Sequence, residues 1–184
     1  MIVVLVGAGA LAIIVIALYN GIVGARQRVR EAWGAVDVQL QRRASLIPNL
    51  VETVKGAAAF ERGTLQTVVA ARSALTAASG PREAARANDE LGRALGSLFA
   101  VAEAYPQLKA TENFARLQTE LSDTEDKIAY ARNYYNGSVE IYNIKVQTVP
   151  DVLVASLGGF APAEFFTADA AASTVPDVQT DSKR

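Results

Sequence analysis

The chain contains neither cysteine nor histidine among its 184 residues. Without thiols no disulfide can form, and neither thiolate nor imidazole ligands exist for a zinc or di-iron site. Cysteine nucleophiles and histidine-based triads are excluded as well. There is also no Walker loop and no glycine-rich dinucleotide motif. We therefore expect a protein that is not an enzyme and that carries no metal or other cofactor.

The net charge of the chain is also small. The net charge of −1 argues against a general basic surface for nucleic acid. The first 25 residues carry no charged side chain, and Ile2–Leu18 consists of Ile, Val, Leu, Ala and Gly. About 20 apolar helical residues cross the hydrocarbon core of a membrane, so residues 1–25 are predicted to form a single transmembrane anchor. The alternatives are a signal peptide cleaved near Val23-Gly24-Ala25 and a buried core helix.

The flanks of this segment predict its orientation. Five arginines follow it, against only Glu31 and Asp37, and they are Arg26, Arg28, Arg30, Arg42 and Arg43. Positive residues accumulate on the cytoplasmic side of a span. We therefore expect the N-terminus outside and the rest of the chain in the cytoplasm.

The remaining chain has helical spacing almost throughout, with apolar residues recurring every three or four positions. Pro48 predicts a kink or a break, and Ser79-Gly80-Pro81 predicts a stop followed by a new helix. Residues 26–157 are thus predicted to form a helical bundle. Its long helices are expected at about 26–47, 49–78, 81–105 and 111–149.

The last of these helices has an almost strict heptad stripe. The stripe comprises Phe114, Leu117, Leu121, Thr124, Ile128, Ala131, Tyr135, Val139, Tyr142, Val146 and Val149. A helix of this length needs neighbours of similar length, so the predicted fold is all-α, an elongated antiparallel bundle with coiled-coil-like packing. The pairs Tyr135-Asn136 and Tyr142-Asn143 place polar groups at the seam, where they are expected to bond across helices.

Residues 158–184 form an aromatic segment followed by a tail. Phe160, Phe165 and Phe166 either dock onto the bundle or lie on a membrane or a partner. From Thr167 onward the composition of Ala, Ser, Thr, Asp and Pro is typical of disorder.

The block Asp37–Lys55 is the most distinctive polar stretch. Its candidate partner contacts are Asp37, Arg42, Arg43, Asn49 and Glu52. In one interpretation they and the carbonyls freed by the proline satisfy one another. In the other, the arginine pair binds a carboxylate of a partner chain. A second polar group, Glu120, Asp123, Glu125 and Asp126, favours a solvated, self-paired helix face over a cation site. Asp123 and Lys127 are an i,i+4 pair, and Glu125 shares a face with Arg132.

These blocks together resemble the LemA family. The resemblance rests on Arg42-Arg43 with Leu46–Val51, on Ala104-Tyr105-Pro106, on the helix around Thr124–Ile128, and on the two Tyr-Asn pairs, and it covers roughly Tyr19–Phe166. It implies a single-pass, membrane-anchored helical bundle of bacteria, in the inner membrane, without an established activity. Ser45 stands where the family commonly has Asp, and Phe60-Glu61 where it commonly has His-Glu, which weakens any metal or proton role there.

The expected function is a scaffold or interaction module at the cytoplasmic face of the membrane. The alternative is a regulatory adaptor of a larger membrane machine such as a protease or transporter. The expected partners are the membrane and either further copies of the chain or a membrane protein, and no nucleic acid.

Overall fold

The computed structural model describes residues 1–55 and 62–168. Within them the chain forms six α-helices and no strand: α1 (Ile2–Lys55), α2 (Arg62–Ala77), α3 (Pro81–Ala102), α4 (Pro106–Lys109), α5 (Glu112–Gln147) and α6 (Asp151–Leu157). The predicted all-α bundle is confirmed. The predicted disordered tail lies almost wholly outside the described residues.

The helix boundary expected near Pro48 is absent, because α1 continues through the proline to Lys55. A proline inside a helix leaves the carbonyl four residues earlier without its usual N–H. Here that carbonyl belongs to Ala44, and it accepts a hydrogen bond from Nε of Arg72 on α2 at 2.9 Å. Ile47 and Leu50 on either side of the proline are fully buried. Packing and this substitute donor therefore keep the helix continuous.

Two compact units make up the chain, and unit 1 combines Met1–Arg43 with Gln118–Ala163. In it α1 and α5 run antiparallel, since Trp33 packs on Tyr135 and Arg43 pairs with Glu125. The unit 1 part of the predicted seam is buried from Leu121 to Val146. Val149 is the exception: α5 ends at Gln147, and this side chain is 80% exposed.

Unit 2 comprises Ala44–Leu117, apart from residues 56–61, together with the described residues from Glu164. The predicted stop at Ser79-Gly80-Pro81 lies between α2 and α3. Gly80 has a φ of 89°, a conformation that glycine adopts without strain, and Glu83 accepts the Ser79 N–H at 2.8 Å. α3 ends at Ala102 rather than near residue 105, and Pro106 begins the separate short helix α4.

The start of α1 differs from the rest of the helix because its apolar side chains are exposed. They include Ile2, Val4, Leu5, Val6, Leu11, Ile13, Ile14, Val15 and Ile16. Burial begins only at Ile22 and Ala25, which lie in the core of unit 1. By length and composition, α1 is the one helix of the described chain that could cross a membrane.

Candidate functional site

The two arginines of the polar block lie against α5 within unit 1. Arg43 is only 6% exposed at its side chain, and its Nη1 lies 2.5 Å from Oε2 of Glu125. Arg42 is more exposed, and its Nη2 lies 3.6 Å from Oδ2 of Asp123. The sequence singled out both groups but did not predict that they meet. The structure therefore brings the basic and acidic motifs together as ion pairs of the fold.

Asp123 is shared between two cations. Nζ of Lys127 donates a hydrogen bond to its Oδ2 at 2.8 Å, so the predicted i,i+4 pair is present. That hydrogen bond is the main reason why the pKa of Asp123 lies below its ordinary value of 3.8; the charges of Lys127 and Arg42 add to the effect, and partial burial opposes it. Asp123 is therefore ionised at neutral pH. Such exposed pairs contribute little to stability, whereas removing one member of a desolvated pair is costly.

The other three candidate contacts have local partners. In unit 1, Asp37 accepts a hydrogen bond from Nε2 of Gln41 at 2.7 Å. In unit 2, Glu52 pairs with Lys55 at 2.9 Å, and the carbonyl of Asn49 accepts from the Thr53 hydroxyl at 2.8 Å. Asn49 and Glu52 are exposed. Contact of these residues with a partner chain remains a prediction.

The second Tyr-Asn pair binds the segment that follows α6. The side-chain amide of Asn143 donates to the carbonyl of Ala163 and accepts from its N–H, at 2.9 and 2.8 Å. The hydroxyl of Tyr142 donates to the carbonyl of Ala161 at 2.9 Å. The expected bonds across helices thus go to a non-helical backbone instead. Sequence reasoning had no means to find them, because any residue can supply a backbone partner.

Phe160 lies in this segment and contacts α1 directly. Its ring meets that of Tyr19 edge to face, with centroids 5.6 Å apart, and the Arg26 guanidinium carbon lies 5.8 Å from the ring centroid. Both contacts are of kinds that attract aromatic rings. Of the two alternatives for the aromatic segment, docking on the helices is therefore observed for Phe160. Phe166, in unit 2, is also buried.

Possible metal ligands and grooves are the remaining features of the described residues that bear on a site. Across residues 1–55 and 62–168, no three Asp or Glu side chains converge as a metal site would require. In unit 2, an open groove between α2 and α3 is lined mainly by small side chains, together with Glu90 and Arg93.

The chain is similar in sequence to several known proteins. The chain is 36% identical over 88 residues to magnetosome protein MamQ 2 of Paramagnetospirillum magneticum, covering 48% of this chain and 32% of that protein. It is 35% identical over 80 residues to magnetosome protein MamQ of Magnetospirillum gryphiswaldense, covering 44% and 29%. Protein LemA of Metamycoplasma hominis is 26% identical over 133 residues, covering 70% and 59%.

The aligned part of this chain thus spans about a third of the length of the two magnetosome relatives. A family model covers far more of the chain itself. It matches residues 32–179, which include the polar block of α1, the whole of α2 to α6 and both Tyr-Asn pairs. The chain therefore belongs to the LemA family.

Proposed function

We propose that this protein is a membrane-anchored interaction module that works as a scaffold at the cytoplasmic face of the bacterial inner membrane. The observation that carries the proposal is the uncovered apolar start of α1. The side chains from Ile2 to Ile16 listed above are exposed in the described chain, by 43–77%. An apolar helical surface of this length is stable against lipid and unfavourable in water.

The arginines that follow the apolar stretch support the cytoplasmic placement. Arg26, Arg28 and Arg30 are all exposed on α1 directly after the uncharged run. Retention of such residues on the cytoplasmic side would place both units there. A membrane-impermeant protease added to spheroplasts, whose outer membrane has been opened, should then leave the chain after Arg26 uncut, and cleavage without lysis of the inner membrane would contradict this orientation.

A partner surface is proposed on the exposed side of α1 in unit 1. Val38, a large apolar residue, is exposed there beside Asp37, Gln41 and Arg42. The link from Arg42 to Asp123 is long and exposed, and Lys127 also holds that carboxylate. Arg42 can therefore bind a partner's carboxylate instead, because Lys127 still neutralises Asp123. Arg43 is buried in its pair and is assigned a structural role.

The test is affinity capture of the full chain from gently solubilised membranes, followed by mass spectrometry. The wild type is compared with Arg42→Glu and with Arg132→Glu, an exposed control on α5. The scaffold is supported if the wild type captures further copies of the chain and if Arg42→Glu abolishes this capture while Arg132→Glu does not. Capture of one dominant membrane protein supports the adaptor alternative instead. A monomer that retains a small molecule would contradict both and favour catalysis.

A further inference from the structure

We infer that α6 is a second membrane contact, whose exposed apolar side chains enter the headgroup–acyl boundary of the bilayer that α1 spans. The surface consists of Val149, Leu153 and Leu157, and this set is called the α6 stripe below. These side chains are 80%, 64% and 91% exposed. Leu153 and Leu157 are one helical turn apart and share a face, whereas Val154 and Ala155 are buried in unit 1. α6 therefore has two leucines exposed on its outer side and Val154 and Ala155 packed on its inner side, so both sides are mainly apolar.

Contacts with α1 fix the height of α6 along the anchor. A Cβ placed on Gly21 would lie 3.0 Å from Cε of Lys145, so α1 and α5 approach closely there. Nζ of Lys145 lies 2.9 Å from Oδ1 of Asp151, the first residue of α6. The start of α6 is therefore level with Gly21, just past the apolar stretch Ile2–Leu18.

The far end of α6 returns to the same level. Its last turn is closed by a hydrogen bond from the N–H of Phe160 to the carbonyl of Ala155 at 2.9 Å, with Gly159 at a φ of 67°. This is a Schellman arrangement, which turns the chain back on the helix end. Phe160 is then held between Tyr19 and Arg26 of α1. Those two residues lie about 10 Å apart along the helix axis, and Gly21 lies between them.

The chemistry around the α6 stripe fits a lipid surface. Tyr19 is an exposed aromatic residue at the end of the apolar run, where such residues favour the headgroup level. Arg26, Arg28 and Arg30 are exposed on the water side and can meet lipid phosphates. A short helix that lies in the plane of a membrane interface buries the apolar side chains that face the lipid by about 5–10 Å. The helix that carries the α6 stripe starts level with Gly21, close to the end of the anchoring surface, and this position argues for lipid as the occupant.

The inference rests on the proposed anchoring of α1, and the experiment separates the two. Because the chain has no cysteine, each single-cysteine variant carries one unique spin label. The full chain is reconstituted in vesicles of phosphatidylcholine and phosphatidylglycerol with the label at Leu153→Cys or Leu157→Cys. Ile13→Cys reports on the anchor, and Tyr130→Cys is an exposed control on α5, about 22 Å along that helix from Lys145. Circular dichroism verifies that each variant is folded.

Collision with oxygen, which concentrates in lipid, is compared with collision with a water-soluble nickel chelate. We expect labels at positions 153 and 157 to be several-fold less accessible to nickel and more accessible to oxygen than the label at position 130. If they match position 130 while position 13 is in lipid, the inference fails and the anchor stands. If position 13 is itself in water, the anchor fails. Protection from both reagents with spin–spin broadening would assign the α6 stripe to a second copy and overturn the inference.

Discussion

Arg72 on α2 donates from its Nε to the carbonyl of Ala44 at 2.9 Å, the carbonyl that Pro48 leaves without its helical donor. Removing this donor leaves a half-buried acceptor unsatisfied, which typically costs about 1–3 kcal/mol. Arg72→Met, which keeps the apolar stem of the side chain, should therefore lower the free energy of unfolding by about that amount.

The Pro48→Ala background provides the control for this effect. Alanine supplies its own N–H to the Ala44 carbonyl, so Arg72→Met should be much less destabilising there. Urea unfolding of the four proteins in a double-mutant cycle measures the coupling. Equal losses in both backgrounds would show that Arg72 acts through packing alone.

The seam of α5 provides a matched pair of tyrosines. Tyr135 is 2% exposed and packs edge to face on Trp33 at 5.4 Å, whereas its neighbour Tyr134 is 53% exposed. Truncating a buried aromatic costs about 3–5 kcal/mol, a large share of the roughly 5–15 kcal/mol that stabilises a domain. Tyr135→Ala should lower the melting temperature by many degrees and Tyr134→Ala by few. Similar losses for the two variants would contradict the heptad assignment.

The seam itself followed from the sequence because it depends on local spacing. Phe114, Leu121, Ile128 and Tyr142 are buried as the heptad pattern predicts. Val149 continues the pattern but not the helix, because the chain turns before Pro150. Residue spacing therefore predicts which side chains share a buried face only up to the residue at which the helix ends.

Long-range polar partners did not follow from the sequence. Glu125 shares a helix face with Arg132, but its ion pair is with Arg43 on α1, which the spacing did not predict. Asn143 was expected to bond across helices, yet it holds the backbone of Ala163. The partner of a polar side chain depends on which elements meet in space. A helical pattern defines the buried face of a helix but not the element that packs against it. The unbroken helix at Pro48 also depends on a donor from another helix.

Asn143→Ala should release the segment around Ala163, because it removes both hydrogen bonds to that backbone. Hydrogen exchange at the N–H of Ala163 should become faster, and proteolysis after Phe160 should increase. Asn133→Ala, an exposed asparagine on the same helix, is the control and should change neither. Unchanged exchange in Asn143→Ala would mean that Tyr142 and Phe160 hold the segment without it.

The pKa of Asp123 should respond more to Lys127 than to Arg42, because the hydrogen bond from Lys127 is the largest cause of its depression. A carboxyl with a lowered folded pKa stabilises the fold at neutral pH and loses that contribution as the pH falls through the folded value, below 3.8. Carboxyl NMR titration should show a larger upward shift in Lys127→Met than in Arg42→Met. The reverse order would identify Arg42 as the main partner.

The stability of the protein without its anchor should depend on the residue at which the chain is truncated. The intact chain should stay with membranes through carbonate and high salt, which release proteins held by charge. Deleting Met1–Leu18 should give a soluble, helical protein. Deleting Met1–Ala25 should also give a soluble but less stable one, because Ile22 and Ala25 are buried in unit 1 and Tyr19 contacts Phe160. Melting curves of the two proteins test this, and equal stability would show that these residues contribute nothing to unit 1.

The discontinuity of unit 1 has a consequence for the order of synthesis. Its first stretch, Met1–Arg43, leaves the ribosome well before its second, Gln118–Ala163, whereas the intervening Ala44–Leu117 is contiguous. Domains generally fold as their residues emerge, so the intervening helices can pack early. The buried face of α1 from Ile22 to Leu40 must wait for α5. The nascent chain therefore carries an exposed apolar face until α5, which ends at Gln147, has been made.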